Sequence, residues 1–301
     1  MAKQKPTARL RSLLKKGVFI YMPAVIDPLG GRIAERTGCR AVYTGGYATG
    51  SSLTVTEPLL TMTEQVEQAG RIARACTIPM VCDAGAGFGE PLHTMRTVKE
   101  FIAAGVAGIH IEDQLYPKRA HYHKYVAHAI STKEFVDKIA LACRARDALD
   151  KNFVIIARSD TCRFEGLGEA IKRINRTAAV GADLGLVFPT NKQQAAAAPK
   201  KSKLPLIWVQ SRGNRDGRPL YNNNQLREMG YAGCIDAQIH IGISYYFLEK
   251  ALTEIKHTGD YSGLSEANWV RTRQQIEDLC DLEEHYVVEE DTVEKKKWGK
   301  R

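Results

Sequence analysis

Pro79-Met-Val-Cys-Asp83-Ala-Gly85-Ala-Gly87-Phe-Gly89, followed by Ile109-His-Ile-Glu112-Asp113-Gln114, decides how this chain is built. Each stretch is a short apolar run that breaks off in carboxylate. A buried strand that delivers an acid at its C-terminal end is how an α/β barrel presents chemistry. Two such strands in succession converge two acids on one cation or one substrate. The glycines after Asp83 let backbone approach whatever sits there.

The same cadence recurs along the chain. A helical segment ends in Gly, a few small residues follow, and an apolar run begins: Gly38 before Tyr43, Gly105 before Ile111, Gly181 before Val187, Gly230 before Ile235. That is the helix-to-strand joint of a parallel sheet. Apolar strand candidates lie near 18–22, 40–44, 79–82, 108–112, 153–157, 184–188, 205–209 and 233–236. Helical segments separate them, among them Met62–Cys76, Leu92–Ala104, Thr132–Leu149 and Gly168–Val180. Eight strands alternating with helices predict a (β/α)8 barrel of TIM type. A doubly wound open sheet is the competing arrangement. It usually carries a phosphate-binding glycine turn after the first strand, where this chain has Met22-Pro23-Ala24. Gly85-x-Gly87-x-Gly89 follows the third strand and has the wrong spacing for a dinucleotide fingerprint.

The 301 residues suffice for one such domain, and we expect a single barrel over 1–301. Ser244–Lys256 reads as the eighth helix, Leu264–Val288 as one further long helix, and 289–301 as a charged tail. The longest apolar runs fall far short of the ~20 residues of a membrane span. No secretory signal is visible, and the basic, partly amphipathic residues 1–16 match a mitochondrial presequence poorly. The formal charge of +9 is scattered over the chain without a nucleic-acid motif, so it points to solubility and to anionic partners, a small organic acid above all. The seven cysteines are odd in number and lack a C-x-x-C pair, which suits free thiols in a reducing, cytoplasmic setting.

In a barrel the strand ends supply the site. They offer Tyr43-Thr44-Gly45-Gly46, then Asp83, then Glu112 and Asp113, then Arg158-Ser159-Asp160, then Thr190 and Asn191. Gln210-Ser211-Arg212 and finally Asp236, with Gln238 and His240 beyond, complete the ring. Asp83 and Glu112 are hard oxygen donors that suit Mg²⁺, with Mn²⁺ as the alternative ion; equally, they could cap a helix and pair with Lys or Arg. Arg158 is a natural partner for a substrate carboxylate or phosphonate, or for those same acids. Thr44, Gly45 and Gly46 offer amides to an oxyanion, or form a plain turn. Lys118-Arg119-Ala120-His121-Tyr122-His123-Lys124 is a basic loop of the kind that closes over an anion. His121 and His123 lack a third ligand at useful spacing, so zinc is set aside.

With these residues in hand, the chain resembles the isocitrate lyase/phosphoenolpyruvate mutase superfamily, and within it the methylisocitrate lyase-like and carboxyphosphonoenolpyruvate phosphonomutase-like branch. Pro23-Ala-Val-Ile-Asp27-Pro-Leu, Thr44-Gly-Gly, Asp83-Ala, Gly87-Phe-Gly89, Ile111-Glu112-Asp113-Gln114, Pro117-Lys118-Arg119 and Ile156-Ala-Arg158-Ser-Asp160 carry the resemblance. It implies a Mg²⁺-dependent barrel acting on 2-oxo or 2-hydroxy acids through an enolpyruvate-type intermediate. It implies a homodimer or homotetramer in which a C-terminal segment, 258–288, is exchanged between subunits. By position, Asp83 would hold Mg²⁺ directly and Glu112 through water, with Glu57 nearby. Tyr43 and the Thr44–Gly46 amides would hold the 2-oxo acid end, and Arg158 its anionic group.

The chain also departs from the pattern. Gly85 stands where a second Asp is usual, and Ala120 lies in the loop that carries the lyases' catalytic Cys. His121, His123 or Tyr122 would have to take over its proton transfer. Thr190 replaces a Glu, and Val209 and Arg212 replace an Asn and a Glu, which makes the substrate pocket more cationic. The leading expectation is a carbon–carbon lyase acting on a 2-hydroxy or 2-oxo di- or tricarboxylic acid. An oxaloacetate-type decarboxylase, a phosphonomutase and a barrel without catalysis that serves as an assembly subunit are the alternatives.

Overall fold

Alternation within each strand sorts this chain into a barrel with two apolar layers. The computed structural model describes residues 4–119 and 127–294. All eight expected strands are present, with ends within two residues of the reading above: β1 Ile20–Pro23, β2 Val42–Thr44, β3 Met80–Asp83, β4 Gly108–Glu112, β5 Val154–Ser159, β6 Leu184–Val187, β7 Leu206–Gln210 and β8 Gly233–Asp236. Every pairing is parallel, in the order β1-β8-β7-β6-β5-β4-β3-β2. The ring closes between β1 and β2 through a parallel bridge of Ala24 with Tyr43, where the Val25 amide donates to the Tyr43 carbonyl at 2.8 Å. The (β/α)8 expectation therefore holds.

Side chains of a strand point alternately to its two faces. Inside the barrel lie Ile20, Met22, Val81, Val154, Ile156, Leu184, Leu186, Ile207 and Ile235, with Leu10 of the first helix, Pro6–Lys15, packed among them. The other parity faces the helices: Met80, Cys82, Ile109, Ile111, Ile155, Ala157, Trp208 and Cys234 pack with Ile72, Phe101, Phe135, Ile139 and Ile174. Helices start where the backbone needs acceptors. Thr61 with Glu64 and Ser131 with Glu134 form reciprocal capping boxes at Met62–Ala75 and Thr132–Leu149. The joint glycines Gly38, Gly105, Gly181 and Gly230 all take positive φ, as the cadence requires.

The chain divides into two compact units, Met1–Gly242 and Ile243–Arg301. The helix expected at Ser244–Lys256 is longer at both ends, Ile239–Thr258. The single long helix expected over Leu264–Val288 is corrected to two, Glu266–Leu279 and Leu282–Glu289. The break is local: the Cys280 amide donates to the Ile276 and Glu277 carbonyls, and Asp281 turns to φ 57. Asp is among the few residues that tolerate that left-handed conformation. No helix among the described residues is long and apolar enough to cross a membrane.

Candidate active site

The interior parity that buries Val81, Val154 and Ile156 also aims the next residues up each strand into the barrel mouth. β3 delivers Asp83, β4 delivers His110 and Glu112, β5 delivers Arg158, and β2 delivers Tyr43. Register sets them side by side, with Asp83 opposite His110 and Glu112 opposite Arg158. Tyr43, Asp83, His110 and Arg158 open onto a cavity of about 350 Å³, together with Gly45, Gly46 and Glu57. That volume is in the range of small-molecule sites.

Asp83 is held from several sides. One carboxylate oxygen accepts the Gly85 amide at 2.8 Å, and the other accepts the Gly46 amide at 3.3 Å, with an Arg158 Nη 3.6 Å away. Burial opposes its charge, but His110 and the Arg158 guanidinium keep its carboxyl well below the usual carboxylate range. Glu112 is fully buried beneath the cavity, 3.0 Å from Arg158 and 3.1 Å from Lys118 Nζ. Burial raises its pKa to about 7, against the pull of those two cations. Arg158 also grips Asp160 with two parallel bonds of 2.8 and 2.9 Å. Both readings of Arg158 thus meet in one residue: it lines the cavity and is ion-paired with the acids around it.

His110 Nε2 lies 2.8 Å from the Tyr43 hydroxyl, and its ring stacks on the phenol. Burial lowers the His110 pKa to about 4 and raises that of Tyr43. The imidazole tautomer decides which of the two donates in that bond, and the other ring nitrogen, Nδ1, lies 3.4 Å from the Asp83 carboxylate. His110 escaped the residue list read from the sequence. Its signal was there: a polar residue two before Glu112, on the same face of an otherwise apolar strand. Asp160, Gln114 and Lys118 belong with it, Gln114 donating to Asp160 and Lys118 reaching both Glu57 and Glu112.

Other expected site residues are placed differently. Thr44 has the outward parity of β2; it is fully buried, with its hydroxyl 3.4 Å from that of Thr49, and does not line the cavity. Thr190 is also off the cavity wall, because its amide and hydroxyl both donate to the Gln194 side chain at 3.0 Å. Neither side chain lines the cavity, so what the expectation for Thr44 leaves is its backbone amide beside Gly45 and Gly46. Glu57 lines the cavity and pairs with Lys118. Arg212 lines it too, with its guanidinium 2.9 Å from Asp236. His121 and His123 lie outside the described residues.

The donor set bears on a divalent cation. Among the described residues no cluster of three or more His, Cys, Asp or Glu side chains stands ready for a metal. Mg²⁺ does not need one, because it keeps several waters and takes one or two carboxylates plus substrate oxygens. Asp83, on the cavity wall, and Glu112, buried beneath it with its Oε1 3.1 Å from the Lys118 ammonium, are hard oxygen donors that fit that mode of binding. No thiol lines the cavity; Cys82, adjacent to Asp83, faces the helix layer and receives the Gln65 amide.

Comparison with known proteins accords with this geometry. Residues 10–256 match the family model described as phosphoenolpyruvate phosphomutase. A probable 2-methylisocitrate lyase 2 of Corynebacterium glutamicum is 33% identical over 285 residues, 92% of this chain and 89% of that protein. A 2,3-dimethylmalate lyase of Eubacterium barkeri is 30% identical over 289 residues, 94% and 96% of the two chains. A crystal structure of 2,3-dimethylmalate lyase superposes with a TM-score of 0.86 at 26% identity, over 99% of each chain.

Proposed function

The chain belongs to the phosphoenolpyruvate phosphomutase family, and from that premise we propose that it is a carbon–carbon lyase acting on a 2-hydroxy or 2-oxo di- or tricarboxylic acid through an enolpyruvate-type intermediate. One observation carries the reading: Tyr43, Asp83, His110 and Arg158, from four adjacent strands, converge on one cavity at the C-terminal mouth of the barrel.

Breaking the bond beyond C2 asks three things of the protein. The acid end must be held, and the charge released must be tolerated: from a 2-hydroxy acid a base takes the C2 hydroxyl proton as the C2–C3 pair passes to C3, while from a 2-oxo acid the C3–C4 pair passes into a C2–C3 enolate, and in either case a proton is then delivered to C3. Tyr43, Gly45 and Gly46 form one wall for the acid end, and Arg158 faces them with a fixed positive charge. Donors already oriented by neighbours need no reorganisation as charge develops, which is where such electrostatic stabilisation is strongest. Arg158 is oriented in this way by Asp160 and Glu112. Asp83, with Glu112 through water and Glu57 nearby, would hold Mg²⁺ or, alternatively, Mn²⁺. When bound, that ion would spread the enolate charge as a Lewis acid. We assign the proton transfer to His121 or His123, which follow Lys118 and Arg119 in the chain, since imidazole exchanges protons near neutral pH.

We further propose a cytoplasmic homodimer or homotetramer assembled through the C-terminal segment. Free cysteines support the compartment. Tyr245, Tyr246, Phe247 and Leu248 of one helix and Trp269 and Val270 of the next, all exposed, support assembly by a second copy.

The test is pyruvate release from a panel of 2-hydroxy di- and tricarboxylic acids, coupled to NADH oxidation, with and without Mg²⁺. Mg²⁺-dependent turnover is expected, lost in Asp83→Ala. His121→Ala or His123→Ala should reduce kcat more than substrate affinity. No turnover on any acid, together with no Mg²⁺ binding by calorimetry, would falsify the lyase reading.

A further inference from the structure

One wall of the cavity is built by the segment after β7, of which the sequence reading named only Ser211 and Arg212. This segment carries Arg212, Arg215 and Arg218 into the wall, beside Arg163 from the turn after β5. Two acids answer them. Asp236 holds Arg212 at 2.9 Å, and Asp216 is shared between Arg163 and the Nε of Arg218, each at 2.9 Å. Positive charge is therefore in excess.

Arg215 and Arg218 carry that excess. Arg215 is exposed and makes no hydrogen bond or ion pair among the described residues. Arg218 is more telling, because its side chain is only 8% exposed. Its Nε is satisfied by Asp216, yet neither Nη makes a hydrogen bond among the described residues. Those nitrogens are not among the buried polar atoms left without a partner, so they reach the cavity and can donate to an anion there. Its carbon sits 4.8 Å from the centre of the Phe188 ring, and that of Arg158 sits 4.9 Å from the same ring. Phe188 thus spaces a guanidinium on the cavity floor from one on its wall. The two lie within the sum of those distances, a span that the two ends of a short dicarboxylate can bridge.

We propose that Arg215 and Arg218 form a second anion subsite, which takes the distal carboxylate of a substrate whose 2-oxo or 2-hydroxy acid end lies at Tyr43 and Arg158. The subsite deepens the lyase reading and rests on it for the placement of the acid end. The segment selects for a diacid over a monoacid of equal length. Arg158 and Arg218 set the distance between the two ends, and the Phe188 ring packs against both guanidiniums.

Calorimetry on the full chain with Mg²⁺ tests this, using oxalate for the floor alone and 2-oxoglutarate against 2-oxopentanoate for the distal carboxylate. The diacid should bind roughly tenfold or more tighter, the size of one charge-assisted hydrogen bond. Arg215→Gln and Arg218→Gln should each shrink that ratio while leaving oxalate affinity unchanged. Arg215→Gln alters an exposed side chain, so it keeps the test decisive if Arg218→Gln fails to fold. Equal affinity of the two 2-oxo acids for the native chain, or a ratio kept in Arg215→Gln and in any folded Arg218→Gln, overturns the subsite. Oxalate binding without a diacid preference sinks the subsite alone. A diacid preference without oxalate binding supports the subsite and tells against the lyase reading, and no binding of any acid removes both.

Discussion

Replacing Arg158 with Met tests how far this site is held together by one side chain. Arg158 lies 3.0 Å from Glu112 and grips Asp160 at 2.8 and 2.9 Å, all three side chains being at most 10% exposed. Met fills much of the same volume without the charge. Among the described residues Glu112 would keep Lys118, and Asp160 the Gln114 amide. Removing one partner of a buried ion pair costs about 3–5 kcal/mol, because the other charge is left uncompensated. For a chain of 301 residues that corresponds to a fall in Tm of roughly 5–8 °C. The loss should also depend on pH. Burial already raises the pKa of Glu112 from 4.5 to about 7, and removing Arg158 raises it further. A carboxyl with a raised folded pKa contributes stability that is present below its unfolded value and lost as pH rises through the folded one. The deficit of the variant should therefore be smaller at pH 5 than at pH 8. The assay is calorimetric or fluorimetric melting in EDTA at both pH values. Lys133→Ala is the control: it breaks an exposed pair with Asp137 and should leave Tm unchanged. A Tm for Arg158→Met equal to that of the control, or a deficit that grows on acidification, would refute the argument.

Three further outcomes follow from the geometry. Gly87 has φ 79, and a Cβ there would stand 2.3 Å from the buried Thr94 hydroxyl, so Gly87→Ala should lower stability by at least the ~1–3 kcal/mol of a strained backbone. Gly168→Ala, in a helix with open space around it, should hold or raise Tm, and melting curves of the two separate steric cause from mere loss of glycine. Gly85 has φ 50, a left-handed backbone that Asp tolerates at some cost, and nothing lies within 4 Å of a Cβ, so Gly85→Asp should fold with a modest loss of stability and tighten Mg²⁺ binding by calorimetry; unchanged Mg²⁺ affinity would mean that position does not face the ion. Burial raises Cys76 and Cys162 to about 11 and Cys143 and Cys234 to about 12, so titration with a thiol reagent at pH 8 should find exposed Cys280 fast, partly exposed Cys39 slower and the remainder silent until denaturation.

Much of the site was legible in linear order because strands impose a period of two. Once Val81 and Ile156 are placed inside the barrel, Asp83 and Arg158 must follow them inward, at the ends where the strands run out. The same period turns the Thr44 side chain away from the cavity. It neighbours Tyr43 in sequence and therefore points the opposite way. Thr190 and the segment Ser211–Arg218 lie beyond their strands, where no periodicity constrains a side chain, and only the fold shows that one leans on Gln194 while the other walls the cavity. The break at Cys280–Asp281 was hidden for a similar reason, since the apolar spacing continues across it while one backbone angle reverses.

The sequence by itself determined the barrel, the strand that bears each acid and the family to which the chain belongs. Those follow from local patterns of burial, and a local pattern survives in a string of letters. The tertiary structure alone decided the pairings of charge. Arg158 sits among Asp83, Glu112 and Asp160, Lys118 between Glu57 and Glu112, and Arg218 against Asp216. Electrostatic energy depends on distance and burial in three dimensions, across residues far apart in the chain, and no spacing along the sequence encodes it.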